Sequence, residues 1–349
     1  MQKLNKTRTV RILRIVMPIV GVVTALIFVP WNAVLLWMAP LSDTVQGELD
    51  RAVGRGFDGI IVYVDQPGDD PALYAAGWNN RAEQEPADPQ SLFKIGSISK
   101  LYVAAAAAKL VSDGSLSLDD TLADHLPELV GRIEYADRIT LRMLLQHRSG
   151  IPNFVDHPDY PWFETLPDRD AYLAFALDQP ADFEPDSDYR YSNTGYLLIG
   201  DILDKVLGYS YTDYIRAEIL EPLGLNHTYS FLSQVDSGDV ASGYHHEVEP
   251  DLKALDHTSP GGSMIATAQD VGIFLRALND GSLLSDDEQA IYTSIYEYEH
   301  TGWVPGYQSI ARYDVDTDTV VVVFVSSTGG DTEATIHIVF DRIVRIVNR

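Results

Sequence analysis

The apolar run Val320-Val321-Val322-Val323-Phe324-Val325 is the feature that most constrains the fold of this chain. Five of its six residues are β-branched, which is typical of a strand buried on both faces. Together with residues 307–313, this run is predicted to form a β-hairpin whose turn contains Asp316-Thr317-Asp318. A second predicted hairpin, 59–64 with 72–77, lies near the other end of the chain. We therefore expect one sheet that is assembled from distant segments.

The segments between these hairpins have helical patterns and Pro/Asp-rich loops. An alanine-rich helix is predicted over 97–112, and a last helix over 332–347. The prediction is an α/β (α+β) fold: an antiparallel sheet of N- and C-terminal strands flanked by helices, with an all-helical subdomain. The α/β part covers about 55–115 and 259–349, and the helical insert about 116–258.

The N-terminal 39 residues favour a membrane anchor. Residues 15–39 carry no charge and are long enough to cross a bilayer, and Trp31 and Trp37 lie near their far end. Five basic residues precede the run, which predicts a cytoplasmic tail over 1–14, a transmembrane helix over 15–39 and a hydrolase domain over 43–349. The predicted location is the cell membrane, single-pass, with the domain on the extracytoplasmic (periplasmic) side. The alternative is a cleaved signal peptide, which 37–41 disfavours because it offers a poor cleavage site.

Charge and composition exclude several function classes. The net charge of −26 disfavours nucleic-acid binding, because an acidic surface repels phosphates. The chain of 349 residues has no cysteine, which excludes disulfides, thiolate zinc sites and cysteine nucleophiles. His245-His246-Glu247 with His257 lacks the spacing of a helical metal motif, so we interpret it as a solvated polar loop.

Ser97 and Lys100 are the first candidate catalytic residues. They lie three residues apart at the predicted start of a helix and therefore share one face. A serine hydroxyl needs a neighbouring base to become a nucleophile, and a lysine amine can supply it. By itself the pair also fits an N-capping serine followed by a surface lysine.

Two further motifs follow in the chain. Tyr191-Ser192-Asn193 precedes an apolar helix, and a tyrosine beside a buried cation is expected to have a lowered pKa and to shuttle protons. His300-Thr301-Gly302 precedes Trp303 and the C-terminal hairpin, where a glycine allows close approach of a substrate.

In this order, the three motifs resemble those of the serine β-lactamase and penicillin-binding-protein superfamily, in its class C β-lactamase and D,D-carboxypeptidase branch. There is no G-x-S-x-G motif of the α/β-hydrolases. Framework segments of the family are also present, at 93–97, 139–152, 221–225 and 261–270. The resemblance spans residues 55–349, nearly all of the chain beyond the predicted anchor.

The resemblance implies a mechanism and a set of roles. Ser97 attacks a carbonyl to form an acyl-enzyme, and Lys100 and Tyr191 activate it and protonate the leaving group. Substrate binding falls to Asn193, His300, Thr301 and Gly302. The N–H groups of Ser97 and Trp303 form the oxyanion hole. No metal or cofactor is implied, and the partner is a small-molecule or peptide substrate.

Two departures from the family pattern bear on the substrate. His300 stands where class C β-lactamases have lysine, and this resembles the D,D-peptidases. Trp303 stands where those peptidases have threonine, and its indole favours an apolar acyl or ester pocket. We therefore expect a D,D-peptidase- or esterase-like hydrolase of amides or esters. The alternatives are a true β-lactamase and a penicillin-binding sensor without turnover. The oligomeric state is not predicted.

Overall fold

The computed structural model describes residues 6–249 and 251–349. Eleven strands lie in this part of the chain: β1 Gly59–Asp65, β2 Ala72–Asn80, β3 Glu85–Pro86, β4 Phe93–Lys94, β5 Thr228–Tyr229, β6 Tyr244–His245, β7 Ile265–Ala266, β8 His300–Val304, β9 Tyr307–Asp314, β10 Thr319–Val325 and β11 Ser327–Thr328. Twelve α-helices accompany them: α1 Lys6–Phe28, α2 Trp31–Met38, α3 Val45–Val53, α4 Ser99–Ser112, α5 Leu122–His125, α6 Leu141–Leu145, α7 Arg169–Leu173, α8 Asn193–Leu207, α9 Tyr211–Ile215, α10 Ala268–Asn279, α11 Asp286–Ile295 and α12 Thr332–Val347.

A six-stranded sheet has the order β3-β2-β1-β10-β9-β8. Each pair of neighbours in it is antiparallel. The distant hairpins meet at its centre, where Val62 of β1 lies opposite Val323 of β10. The mixed α/β fold that the sequence predicts is therefore confirmed.

Strand β10 is buried on both faces because alternate residues enter two hydrophobic clusters. Val322 and Phe324 belong to the larger cluster, which also contains residues of α4, α8 and α10. Val321 and Val323 belong to the smaller one, with residues of α2, α3 and α12. The sheet therefore lies between two helical layers.

Helix α4 runs through the larger cluster, and its residues from Lys100 to Ala108 are buried. Its alanines allow close packing, and Tyr102 stacks on Phe274 of α10 with ring centroids 3.6 Å apart. Lys100 lies buried in the first turn of this central helix, and Ser97 lies in the turn just before it.

The predicted transmembrane helix is wrong. Within 6–249 and 251–349, no helix is long and apolar enough to cross a membrane. The uncharged run is divided between α1 and α2, with the break at Val29 and Pro30. Ala33 and Leu36 of α2 are buried, and Leu36 belongs to the cluster that covers the outer face of the sheet. Hydropathy predicted a span because it counts apolar residues and ignores what they pack against.

The chain after α2 is fastened to α12. The Arg342 guanidinium donates hydrogen bonds to the carbonyl oxygens of Ala39 and Pro40, each at 2.9 Å. The extracytoplasmic location depended on the predicted span and stays a prediction, as do the domain boundaries. The first five residues of the predicted cytoplasmic tail lie outside the described residues.

Candidate active site

Ser97 lies in a tight turn, Gly96–Ile98, that leads into α4. Gly96 takes a positive φ of +55°, a conformation that favours glycine. The Ser99 hydroxyl closes the turn, since it donates to the Gly96 carbonyl at 2.7 Å and accepts from the Met264 N–H at 3.2 Å. The turn thus fixes the direction of the Ser97 side chain.

Strand β8 lies directly against this turn. A Cβ atom on Gly302 would lie 2.0 Å from the Ile95 carbonyl oxygen, so only glycine fits there. A Cβ atom on Gly96 would lie 2.9 Å from the Trp303 backbone nitrogen. The structure therefore brings the third motif to the first. The oxyanion hole formed by the N–H groups of Ser97 and Trp303 stays a prediction.

Lys100 is fully buried, and its Nζ contacts three oxygens. It lies 2.8 Å from Asn193 Oδ1, 2.6 Å from the Gly261 carbonyl oxygen and 3.2 Å from Ser97 Oγ. Burial holds the pKa of Lys100 well below its usual value. A neutral amine has two N–H groups, which the Asn193 and Gly261 oxygens accept, and one lone pair, which then faces the Ser97 hydroxyl. This geometry suits a general base.

Tyr191 lies beside Lys100, whose Nζ is 4.8 Å from the centre of the phenol ring. Its hydroxyl is buried and has no hydrogen-bond partner among the described residues. Burial raises the pKa of Tyr191, an effect that the nearby Ser97 hydroxyl partly offsets. This is opposite to the expected lowering, which assumed a charged lysine. Burial instead disfavours the charged form of both groups, so Tyr191 is protonated and can donate a proton.

Asn193 begins α8 and is held by Asn153. The Asn153 Oδ1 accepts hydrogen bonds from the Asn193 backbone N–H at 3.0 Å and from Asn193 Nδ2 at 3.3 Å. This orientation leaves Asn193 Oδ1 toward Lys100. Asn153 therefore positions the second motif, a role that was not predicted from the sequence.

His300 begins β8 and approaches Tyr191, with ring centroids 6.2 Å apart. Its Nε2 lies 2.9 Å from the Tyr296 hydroxyl. Burial, with a contribution from Lys100, lowers the pKa of His300 to about 4, so the ring is neutral at pH 7. Thr301, the next residue of the motif, is exposed.

Two cavities are lined by candidate catalytic residues. One of about 240 Å³, here called the acyl cavity, contains Ser97 and Asn193 together with aromatic residues. The other, of about 540 Å³, lies beyond Tyr191 and is called the outer cavity. Tyr191 lines both. His300 and Thr301 line the outer cavity, and Trp303 lines the acyl cavity.

Sequence reasoning missed most of the acyl cavity. Its walls include four aromatic residues from a 3-10 turn, a loop and α7, namely Phe154, Tyr160, Trp162 and Tyr172. Trp162 packs edge-on against Trp303, with centroids 5.3 Å apart. The dense aromatics of 154–163 were the available signal.

His257 was also misinterpreted from the sequence. It is not in a solvated loop but lines the acyl cavity with a buried Nε2. His245 lies apart from this cavity, packed edge-on against Phe163 with ring centroids 5.0 Å apart.

Comparison with known proteins identifies the family of this chain. The Beta-lactamase family model matches residues 49–296. Penicillin-binding protein 4 of Amycolatopsis lactamdurans is 28% identical over 282 residues, which are 74% of this chain and 71% of the relative. The chain spans only 44% of the length of two relatives from Bacillus subtilis.

Solved structures agree. The D-amino acid amidase of Ochrobactrum anthropi superimposes with a TM-score of 0.77 at 26% identity, covering 87% of this chain and 97% of the amidase. A class C β-lactamase of Rhodobacter sphaeroides has a TM-score of 0.69 at 22% identity, covering 88% of this chain and 100% of the other, and shows the shared fold. The predicted resemblance is confirmed: the chain belongs to the β-lactamase family and is a serine hydrolase related to those enzymes.

Proposed function

We propose that this protein hydrolyses uncharged amides or esters through an acyl-enzyme on Ser97. The observation that carries the proposal is the contact of the buried Lys100 amine with Ser97 Oγ, at 3.2 Å. Its two other oxygen partners leave a neutral Lys100 with its lone pair toward the Ser97 hydroxyl. A preorganised base of this kind is what a serine nucleophile requires.

The reaction then follows from the positions of the groups. Lys100 takes the proton of Ser97 as Oγ bonds to the substrate carbonyl carbon. Tyr191 gives its proton to the leaving nitrogen or oxygen as the bond to the carbonyl carbon breaks, and it regains a proton from Lys100. Water then attacks the acyl-enzyme, and the acid product and free Ser97 are released. The N–H groups of Ser97 and Trp303 are the proposed oxyanion donors, and the loss of one such donor typically costs about 3–4 kcal/mol.

The charges around the site favour an uncharged substrate. Among the described residues that line the two cavities, the only lysine or arginine is Arg312, whose Nε lies 3.0 Å from Glu299. His300 is neutral at pH 7 because its pKa is about 4. A carboxylate on the substrate would therefore lack a free cationic partner. This disfavours β-lactams and peptides that end in D-alanine, because both carry a carboxylate near the reacting carbonyl.

The comparisons support an amide substrate, although the preference for an uncharged one rests on the lining of the cavities alone. The D-amino acid amidase of Ochrobactrum anthropi has the higher TM-score of the two superpositions, 0.77 against 0.69 for the class C β-lactamase. Its name describes an amide substrate, and we extend amide hydrolysis to this chain as part of the proposal.

A fluorophosphonate probe tests the nucleophile. The full-length protein should be labelled with one probe per chain, detected by intact mass, and Ser97→Ala should abolish labelling. Ser112→Ala is the matched control, because Ser112 is an exposed serine at the far end of α4. Labelling that persists in Ser97→Ala would refute the proposal. Turnover of nitrocefin above that of 4-nitrophenyl esters would refute the preference for uncharged substrates.

A further inference from the structure

Besides the Tyr191 hydroxyl, two polar atoms in the acyl cavity lack partners among the described residues. The Nε2 of His257 and the Oγ of Ser259 are buried, and neither has a hydrogen-bond partner among the described residues. Both side chains line the same cavity as Ser97. A buried polar group without a partner is costly, so such atoms in a binding cavity indicate where a ligand completes the hydrogen bonding.

The segment that carries them is otherwise well fastened. Lys94 Nζ donates to the Leu252 carbonyl at 3.1 Å, and the Tyr172 hydroxyl accepts from the Thr258 N–H at 3.2 Å. The Thr165 hydroxyl accepts from the Asp256 N–H at 3.0 Å. The unpaired atoms are therefore held in place before a ligand arrives, which reduces the entropy cost of binding.

The residues that line the cavity indicate the size, aromatic character and charge of the rest of the ligand. Trp162 and Trp303 contact each other edge-on, and Tyr160 lies edge-on to Trp162 at 5.0 Å. Trp303 is anchored from behind, since its Nε1 donates to Glu333 at 3.3 Å. No Asp, Glu, Lys or Arg is among the described residues that line this cavity. Burial, with a contribution from Lys94, lowers the pKa of His257 to about 4, so its ring is neutral at pH 7.

We infer that the acyl cavity selects an uncharged aromatic acyl group that carries a hydroxyl or amide, which hydrogen-bonds to His257 and Ser259. The aromatic walls bind the ring by burial and edge-to-face packing. A neutral imidazole and a hydroxyl can each donate or accept a hydrogen bond, so they match an uncharged polar group. This inference rests on the proposed acylation of Ser97 and specifies which acyl groups enter.

A series of 4-nitrophenyl esters, in which the aromatic acyl groups are of similar size, tests the inference. The acyl groups are phenylacetyl, 4-hydroxyphenylacetyl, mandelyl and phenylglycyl, and acetyl serves as the small reference. Rates in Ser97→Ala supply the background. We expect phenylacetyl to exceed acetyl in kcat/KM, and one of the two hydroxylated esters to exceed phenylacetyl about tenfold or more. We expect phenylglycyl, which carries an ammonium group, to be slower than phenylacetyl.

Two substitutions test whether His257 and Ser259 cause the preference for hydroxylated esters. In His257→Phe and in Ser259→Ala, the ratio of hydroxylated ester to phenylacetyl ester should fall about tenfold. Ser242→Ala is the matched control, since Ser242 is a second buried serine without a partner for its hydroxyl in the described residues but lines neither cavity. Its ratio should stay at the wild-type value.

Several results would overturn the inference. One is an unchanged ratio in both variants, and another is the absence of any preference for a hydroxylated ester. A preference for the ammonium-bearing ester would show instead that the aromatic walls bind cations. Ser97-dependent turnover of any of these esters would still support the proposed hydrolysis. A failure of the inference about the acyl group can therefore be distinguished from a failure of the proposed function.

Discussion

The Nζ of Lys100 lies 3.2 Å from Ser97 Oγ, and no carboxylate among the described residues forms an ion pair with it. Desolvation is the cause of its lowered pKa. Burial alone therefore disfavours the charged form of this amine, and we expect the protonation of Lys100 to determine how activity responds to pH.

We predict that kcat/KM falls on the acid side as Lys100 becomes protonated. The pKa of Lys100 lies below its ordinary value, so the active neutral form predominates above that lowered pKa and is lost as the pH falls through it. The pH profile of ester hydrolysis measures this limb. His300→Asn is the control: His300 has a pKa of about 4, and the limb should persist without it. A limb that disappears in His300→Asn would belong to the histidine instead.

A second prediction concerns Tyr191. Its pKa is raised by burial, so it enters the reaction protonated and can protonate the leaving group. Tyr191→Phe should lower kcat on an anilide by about 100-fold to 10,000-fold. The loss should be much smaller on a 4-nitrophenyl ester, because nitrophenolate leaves without a proton. Equal losses on the two substrates would contradict the role as proton donor.

Asn153 provides a third prediction, because it orients Asn193 through two hydrogen bonds. Asn153→Leu should lower kcat/KM about tenfold, since the amide that contacts Lys100 loses its support. Asn153→Asp keeps the acceptor oxygen but adds a negative charge near Lys100. That charge favours the protonated amine, so the acid limb should move to higher pH. If activity falls at the same pH in Asn153→Asp as in the wild type, Asn153 does not influence the protonation of Lys100.

Local patterns were sufficient to predict the central strands and the last helix. The continuous run of β-branched residues favours a buried strand at 319–325, and 332–347 has a clear helical period. The order of the three motifs predicted segments that the fold brings together from distant parts of the chain, as it does Gly96 and Trp303. Lys100 contacts both Ser97 and Asn193, so the first two motifs lie together in the structure.

Tertiary features were not predictable in this way. The pKa of Tyr191 depends on burial, which the sequence near Tyr191 does not record. The acyl cavity joins Trp162, His257 and Trp303 from loops and a strand edge without periodicity. The uncharged run at 15–39 has the hydropathy of a span, yet Leu36 packs under the sheet and Arg342 holds the carbonyl oxygens that follow. In each case the decisive partner is distant in sequence.

The last prediction concerns the ion pair that holds this N-terminal segment. Arg342 Nε lies 2.6 Å from Glu48 Oε1, and both side chains are buried. Glu48→Gln leaves the guanidinium without a compensating charge, which should lower the free energy of unfolding by about 3–5 kcal/mol. Urea denaturation of the full-length protein measures the loss. Asp178→Asn is the control, because it breaks an exposed pair with Arg132 and should leave the urea midpoint nearly unchanged.

The pH dependence of that stability has a definite sign. Burial alone would raise the pKa of Glu48, but hydrogen bonds from Arg342 and Ser42 outweigh it, so the pKa lies below its ordinary value. The stabilisation is therefore complete above the unfolded pKa of about 4.3 and is lost as the pH falls through the lowered folded value. Glu48→Gln should lack this acid-side decline, and the wild type and the variant should converge in urea midpoint at low pH. A constant difference between them at every pH would show that Glu48 stabilises the fold by packing and not by its charge.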